Sequence, residues 1–174
     1  MKYLLLLVLL FFQLSSPAQK LKKPTKKDPP GTVRITDFQS LSPNKWIILG
    51  IGKETRYPLG FKILETDSLT IQLFFQGGSS AGQFNIKKGS LVKIYFTDSS
   101  MITLPAVKDA PSTGYRDKEG GNNYFANGYY ELNKKMQQLF ISKEVESVRM
   151  HEYLYHKVDK KNGDLIGKAL QLFN

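Results

Sequence analysis

The sequence predicts an α+β domain: an antiparallel β-sheet or open barrel-like meander, with a short helix and a C-terminal amphipathic helix packed on it. Three observations carry that expectation. Apolar and polar residues alternate with a period of two from Val33 to Val107, the pattern of strands with one buried face. Asp98-Ser99-Ser100 is short and polar enough to turn one alternating run back along the next, which makes the pair antiparallel. Leu165, Ile166, Ala169, Leu170 and Phe173 fall on one stripe of a helix at the end of the chain.

In chain order, Val33 and Ile35 open the sheet, and Ile47, Leu49 and Ile51 line a second strand. Leu69, Ile71, Leu73 and Phe75 line a third, with Thr70, Gln72 and Gln76 opposite. Phe84 and Ile86 follow, then Val92, Ile94 and Phe96 after a turn at Gly89-Ser90, then Ile102, Leu104 and Ala106. The run Gly77-Gly78-Ser79-Ser80-Ala81-Gly82 reads as a flexible hairpin loop. A phosphate cradle would lead into a helix with a lysine at fixed spacing, whereas Gln83-Phe84-Asn85-Ile86 alternates like a strand. Residues 110–123 are polar and glycine-rich and read as a long surface loop. Residues 124–132 extend as a strand, and Asn133 caps a short helix carrying Met136, Leu139 and Phe140. Val145, Val148 and Met150 mark a strand that pairs with residues 154–158, and Asp164 opens the last helix.

At 174 residues, with 41% hydrophobic and 23% charged, the chain suits one domain with a packed core. There is no cysteine, which removes thiol nucleophiles, disulfides, thiolate zinc sites and iron–sulfur clusters together. His151 and His156 are the two histidines, so metal chemistry has few donors, and no cofactor is expected.

The first eighteen residues read as a signal peptide. Lys2 supplies a positive start, residues 4–12 are an unbroken apolar run, and Ser16-Pro17-Ala18 sets small residues where a signal peptidase cuts. Nine apolar residues fall short of the roughly 17–25 that a membrane-spanning helix needs. The expected address is periplasmic or extracellular, and without a cysteine at the cut the chain is not expected to be a lipoprotein. Residues 19–31 then form a lysine- and proline-rich linker ahead of a single domain over 32–174. In it Lys20, Lys22, Lys23, Lys26 and Lys27 face one acid, Asp28, while Pro24, Pro29 and Pro30 block a helix. The stretch reads as a spacer or as an electrostatic tether to an anionic surface.

Ile86-Lys87-Lys88-Gly89-Ser90, the run from Val92 to Asp98 and Ile102-Thr103-Leu104 resemble a hairpin found in a loose group of small exported proteins of Bacteroidetes-type bacteria. The order that follows is also similar: Tyr130-Glu131-Leu132 into a short helix, then a strand with a single arginine, Arg149, then a terminal amphipathic helix. The resemblance covers about half of the chain. It implies a fold and an exported address, and it carries no catalytic residues over.

The residues nominate no catalytic group. In the run from His151 to His156, three residues separate Glu152 from the second histidine, so the helical zinc-protease motif is absent and both histidines read as surface groups. Glu144 and Glu146 stand two apart on a strand, as do Glu65 and Asp67 if that segment is extended, and both pairs read as water-facing neighbours. No Gly-x-Ser-x-Gly elbow occurs. Tyrosines crowd the region around residues 110–123, and Tyr115, Arg116, Tyr124 and Tyr129 are the expected ligand-binding group, since an aromatic face with a polar tip suits recognition. The expected function is a non-enzymatic binding module of the cell envelope, its partner an envelope glycan, an anionic surface or another envelope protein. The alternative is a small exported hydrolase working through carboxylates, and nucleic acid is the least expected partner. Mass spectrometry of the protein recovered outside the cytoplasm should give a chain beginning at Gln19; a chain retaining the first eighteen residues would contradict the expected cleavage.

Overall fold

The structure, a computed structural model, describes residues 19–42, 59–79, 83–116, 122–151 and 154–174. Within them lie two antiparallel sheets. The larger has seven strands: β1 (Leu21–Lys22), β2 (Thr32–Thr36), β3 (Gln39–Ser40), β4 (Gly60–Thr66), β5 (Ile71–Ser79), β8 (Thr113–Arg116) and β9 (Asn122–Glu131). Its order is β1-β2-β4-β5-β9-β8, with β3 also paired to β4. The smaller takes β6 (Leu91–Phe96), β7 (Met101–Pro105), β10 (Val145–His151) and β11 (Leu154–Lys157) in the order β11-β10-β6-β7. Among the described residues the sheets do not close into a barrel, and two α-helices accompany them, α1 (Lys134–Ser142) and α2 (Leu165–Leu170).

One apolar cluster joins these parts. The larger sheet contributes Phe61, Ile63, Leu73, Phe75, Ala126 and Tyr130, and the smaller contributes Val92, Ile94, Phe96, Leu104, Val148 and Met150. Phe140 of α1 and Ile166, Ala169 and Leu170 of α2 fill the same cluster. Each large side chain buried this way contributes about 1.5–3 kcal/mol. The Phe96 and Phe140 rings meet edge to face at 5.7 Å, which seats α1 against β6. The two helices cross closely enough that a Cβ on Gly167 would stand 2.3 Å from the Phe140 carbonyl oxygen.

Local signals set the ends of the elements. Asn133 accepts a hydrogen bond from the Met136 amide through Oδ1 at 2.9 Å, capping α1 as expected. The β6–β7 turn is also as expected: Ser99 adopts φ +66°, and Asp98 Oδ1 accepts from the Ser100 amide at 3.0 Å. Lys143, just past α1, reaches this turn, donating to Asp98 at 2.7 Å and to the Ser100 hydroxyl at 2.9 Å. Those bonds, the lysine's first and the Ser100 donors next, hold the Asp98 carboxyl well below the usual carboxylate range.

Several expectations need correction. β4 was not anticipated, because Phe61, Ile63, Leu64 and Glu65 are all buried and alternation is lost. The reason is cover on both sides: the main core holds Phe61 and Ile63, and a satellite cluster of Ile35, Leu64 and Phe74 holds the other face. Leu69 does not begin β5 but sits in the preceding turn at φ +58°, 79% exposed. Val33 is 50% exposed while Ile35 is buried, because the pairing with β4 shifts register between Thr32 and Arg34. Gly77, Gly78 and Ser79 are part of β5 and pair with Ala126, Phe125 and Tyr124. The long loop expected over 110–123 contains β8, paired to the start of β9. Ile86 makes an isolated bridge to Ala110 in place of a strand. Asp164 makes no capping bond and pairs with Lys168 at 2.6 Å. The linker is partly built into the sheet, since Leu21 and Lys22 pair with Thr36 and Ile35. The strand expected at Ile47, Leu49 and Ile51 and the first eighteen residues lie outside the described residues.

Two glycines separate steric crowding from backbone preference. A Cβ on Gly167 meets backbone, whereas one on Gly89 meets nothing within 4 Å but must take φ +83°. Urea unfolding should therefore show Gly89→Ala losing about 1 kcal/mol and Gly167→Ala clearly more. Equal losses would mean that the helix crossing is looser than described.

Candidate functional site

Of the four residues nominated for ligand binding, Tyr124 and Tyr129 stand on opposite faces of one strand. β9 alternates, so Tyr124, Ala126 and Tyr130 turn toward the main core while Tyr129 packs on the opposite face with Ile35, Leu64 and Phe74. Tyr115 and Arg116 stand in β8 opposite Asn123 and Asn122. Tyr129 itself is structural. Its ring meets Phe74 edge-on at 5.0 Å, and Lys108 Nζ lies 3.8 Å above it. Asp28 is held in a turn by the Thr25 amide and hydroxyl, at 2.8 and 2.9 Å, and reaches Lys62 at 3.4 Å. Burial, and after it the charge of Asp28, raises the pKa of the Tyr129 hydroxyl. The N-terminal stretch is thus fastened near Tyr129. Its lysines Lys20, Lys22, Lys23, Lys26 and Lys27 are exposed, with Lys22 paired to Asp37.

The carboxylates resolve differently from one another. Glu65 does not face water: it is buried and forked by Arg34, whose Nη2 donates at 3.0 Å, and this pairing lowers its pKa. The Arg34 guanidinium lies 5.3 Å from the Phe173 ring centroid, fastening the C-terminal end of the chain to β2. Glu144 and Glu146 are exposed, as expected.

His156 is not a surface histidine. Its Nε2 is buried with no hydrogen-bond partner. It stands 3.3 Å from where a Cβ on Gly77 would be, beside the Met150 sulfur at 2.6 Å from that point. Burial pushes the imidazole pKa down. Among the described residues no three His, Cys, Asp or Glu side chains converge as a metal centre would require.

The surface with the most recognition chemistry is the outer face of the smaller sheet, assembled by its register. Across β6 and β7, Leu91 faces Pro105, Lys93 faces Thr103 and Tyr95 faces Met101. On the other side of β6, Lys93 faces Arg149 and Tyr95 faces Ser147, and these face Tyr155 and Lys157 of β11. The row beginning at Tyr155 therefore runs Tyr155, Arg149, Lys93, Thr103, and the next runs Lys157, Ser147, Tyr95, Met101. Tyr155 is 61% exposed, Leu91 52% and Met101 47%. Lys93, Arg149 and Lys157 lie in two adjacent rows, and Arg149 is already partnered. Glu146 is exposed where β10 bulges opposite β6.

Sequence reasoning missed this face. Its signal was present at the odd-numbered positions of β6, where Leu91, Lys93 and Tyr95 alternate with Val92, Ile94 and Phe96. What the pattern could not show is that β10 and β11 would be laid beside β6. No family model, curated protein or solved structure matches the chain.

Burial of His156 predicts an acid-side loss of stability. With its folded pKa below the unfolded value of about 6.5, the unfolded chain takes up a proton that the folded chain refuses as pH falls. Stability should then drop below about pH 6.5 by up to about 1.4 kcal/mol per pH unit. In urea titrations at pH 7 and pH 5, His156→Leu should show a smaller drop than the natural protein. Equal drops would mean that the imidazole charges without leaving its site.

Proposed function

We propose that the protein is an exported, non-enzymatic binding module that holds an anionic component of the cell envelope on the outer face of its smaller sheet. The observation that carries this reading is the placing of Lys93 and Lys157 with the exposed ring of Tyr155 on one side of the smaller sheet. Cations on a sheet attract an anionic partner, and an exposed tyrosine adds a contact area that costs little conformational entropy. The lysines of residues 19–31 add a second source of attraction, each worth about 1 kcal/mol beside an anionic surface. Export is supported by Lys2, the apolar run of residues 4–12 and Ser16-Pro17-Ala18. A carboxylate hydrolase has less in its favour, because Glu65 is already committed to Arg34.

Co-sedimentation of the purified protein with cell envelopes, at low and high salt, tests the proposal. The double variant Tyr155→Ala, Lys157→Gln should reduce retention at least about fivefold, the equivalent of about 1 kcal/mol. Retention that ignores this variant and disappears when Lys20, Lys22, Lys23, Lys26 and Lys27 become glutamine would assign binding to the N-terminal stretch instead.

A further inference from the structure

We infer that Met150 and His156 form a site for a soft monovalent cation, copper(I) being the biological one, on the inner side of the smaller sheet. The site is independent of the anionic partner proposed for the outer face. Three features meet there. The first is a donor atom without a partner: His156 Nε2 is buried and makes no hydrogen bond. A buried polar atom left unmet costs about 1–3 kcal/mol, and a bound ion removes that cost. The second is the aim of the sulfur. β11 sets Tyr155 opposite Arg149 and Leu154 opposite His151, so Met150 is the extra residue of a bulge in β10. A bulge re-aims a side chain. Met150 Sδ reaches β5 of the larger sheet, 2.6 Å from the point where a Cβ on Gly77 would be, with its methyl carbon farther off at 3.7 Å. The third is room. His156 Nε2 lies 3.3 Å from that same point, and Gly77 pairs with Ala126 of β9, so these two positions of the larger sheet carry nothing bulkier than a methyl group.

The donor set selects the ion. Thioether sulfur and imidazole nitrogen suit copper(I), which accepts few ligands, whereas structural zinc collects thiolates, imidazoles and carboxylates in fours. The convergence of His, Cys, Asp or Glu that a zinc centre needs does not occur among the described residues, and a methionine beside a histidine is a different kind of site. With no cysteine in the chain, methionine is its only soft sulfur donor, and a thioether needs no deprotonation to bind. Gly77, Ala126 and Val148, which stands opposite His156, bring no charge to offset that of the ion, and this favours one positive charge over two. β11 is an outer strand of its sheet and His156 is half-buried, so an ion can reach the nitrogen from that edge. Gap filling in the core would account for Met150 by itself, and it would leave His156 Nε2 unexplained.

The test titrates the purified protein with silver(I), which shares the ligand preference without the redox chemistry, and with copper(I) held reduced by ascorbate in competition with bicinchoninate. Each should bind as a single ion per chain, and zinc(II) should not displace it. In the natural protein carrying methyl-labelled methionine, the NMR signal of Met150 should shift on addition of silver(I) while those of Met101 and Met136 stay in place. Met150→Leu, which conserves volume, and His156→Gln should each weaken binding at least about tenfold. Silver(I) should raise the urea midpoint of the natural protein and leave that of Met150→Leu unchanged. The methyl signal needs no variant, so the test stands even where a substitution disturbs folding. A Met150 signal that does not move would overturn the site. Binding that is lost with His151→Gln and kept with His156→Gln would overturn it as well.

Discussion

Burial of two sheet faces in a single apolar cluster is the constraint from which the rest of the molecule follows. Val92, Ile94 and Phe96 point into the space that Phe61, Ile63, Leu73 and Phe75 enter from the opposite side. Because a strand alternates strictly, committing one set of side chains inward commits the other set outward. Lys93 and Tyr95 turn outward, half-buried, because Ile94 and Phe96 turn in. The candidate surface is the complement of the core, held to the same register, and inherits its rigidity from residues it does not contain.

The joints between elements are fastened by mixed aromatic and ionic contacts at the rims of that cluster. Arg34 is forked by Glu65 and lies against Phe173, joining β2, β4 and the last residues of the chain. Lys143 joins the end of α1 to the β6–β7 turn through Asp98 and Ser100. Asp28 and Lys62 bring the N-terminal stretch to the satellite cluster around Phe74. Partly exposed ion pairs contribute little to stability, so their value here is in fixing which pieces meet. Burial of apolar surface supplies the energy, and the polar contacts supply the address.

How much of this was legible in the sequence depended on whether a local signal existed. The β6–β7 hairpin was readable because Asp98-Ser99-Ser100 turns the chain with its own side chains, and α1 was readable because Asn133 caps it three residues away. β4 was hidden because its cover comes from two directions at once, which erases alternation. β8 was hidden by glycines and polar residues that read as loop until β9 is placed beside them. The tyrosine group is divided for a related reason. Crowding in sequence ignores the alternation that sends Tyr124 and Tyr129 to opposite faces of one strand. The basic face, by contrast, unites residues from 91 to 157 through pairings that leave no trace in local composition.

Sheets that do not close leave edges, and an unpaired edge is a template on which another copy of the chain can add a strand. Three of the edges here, β1, β7 and β11, are poor templates. β1 is two residues long and lies among Lys20, Lys22 and Lys23, so a second chain approaching that side meets like charge before it meets backbone. Pro105, at the end of β7, has no amide hydrogen to donate, and Lys157 guards the end of β11. The lysine-rich N-terminal stretch therefore sets like charge around the short edge strand β1, on the side from which a second copy of the chain would have to approach.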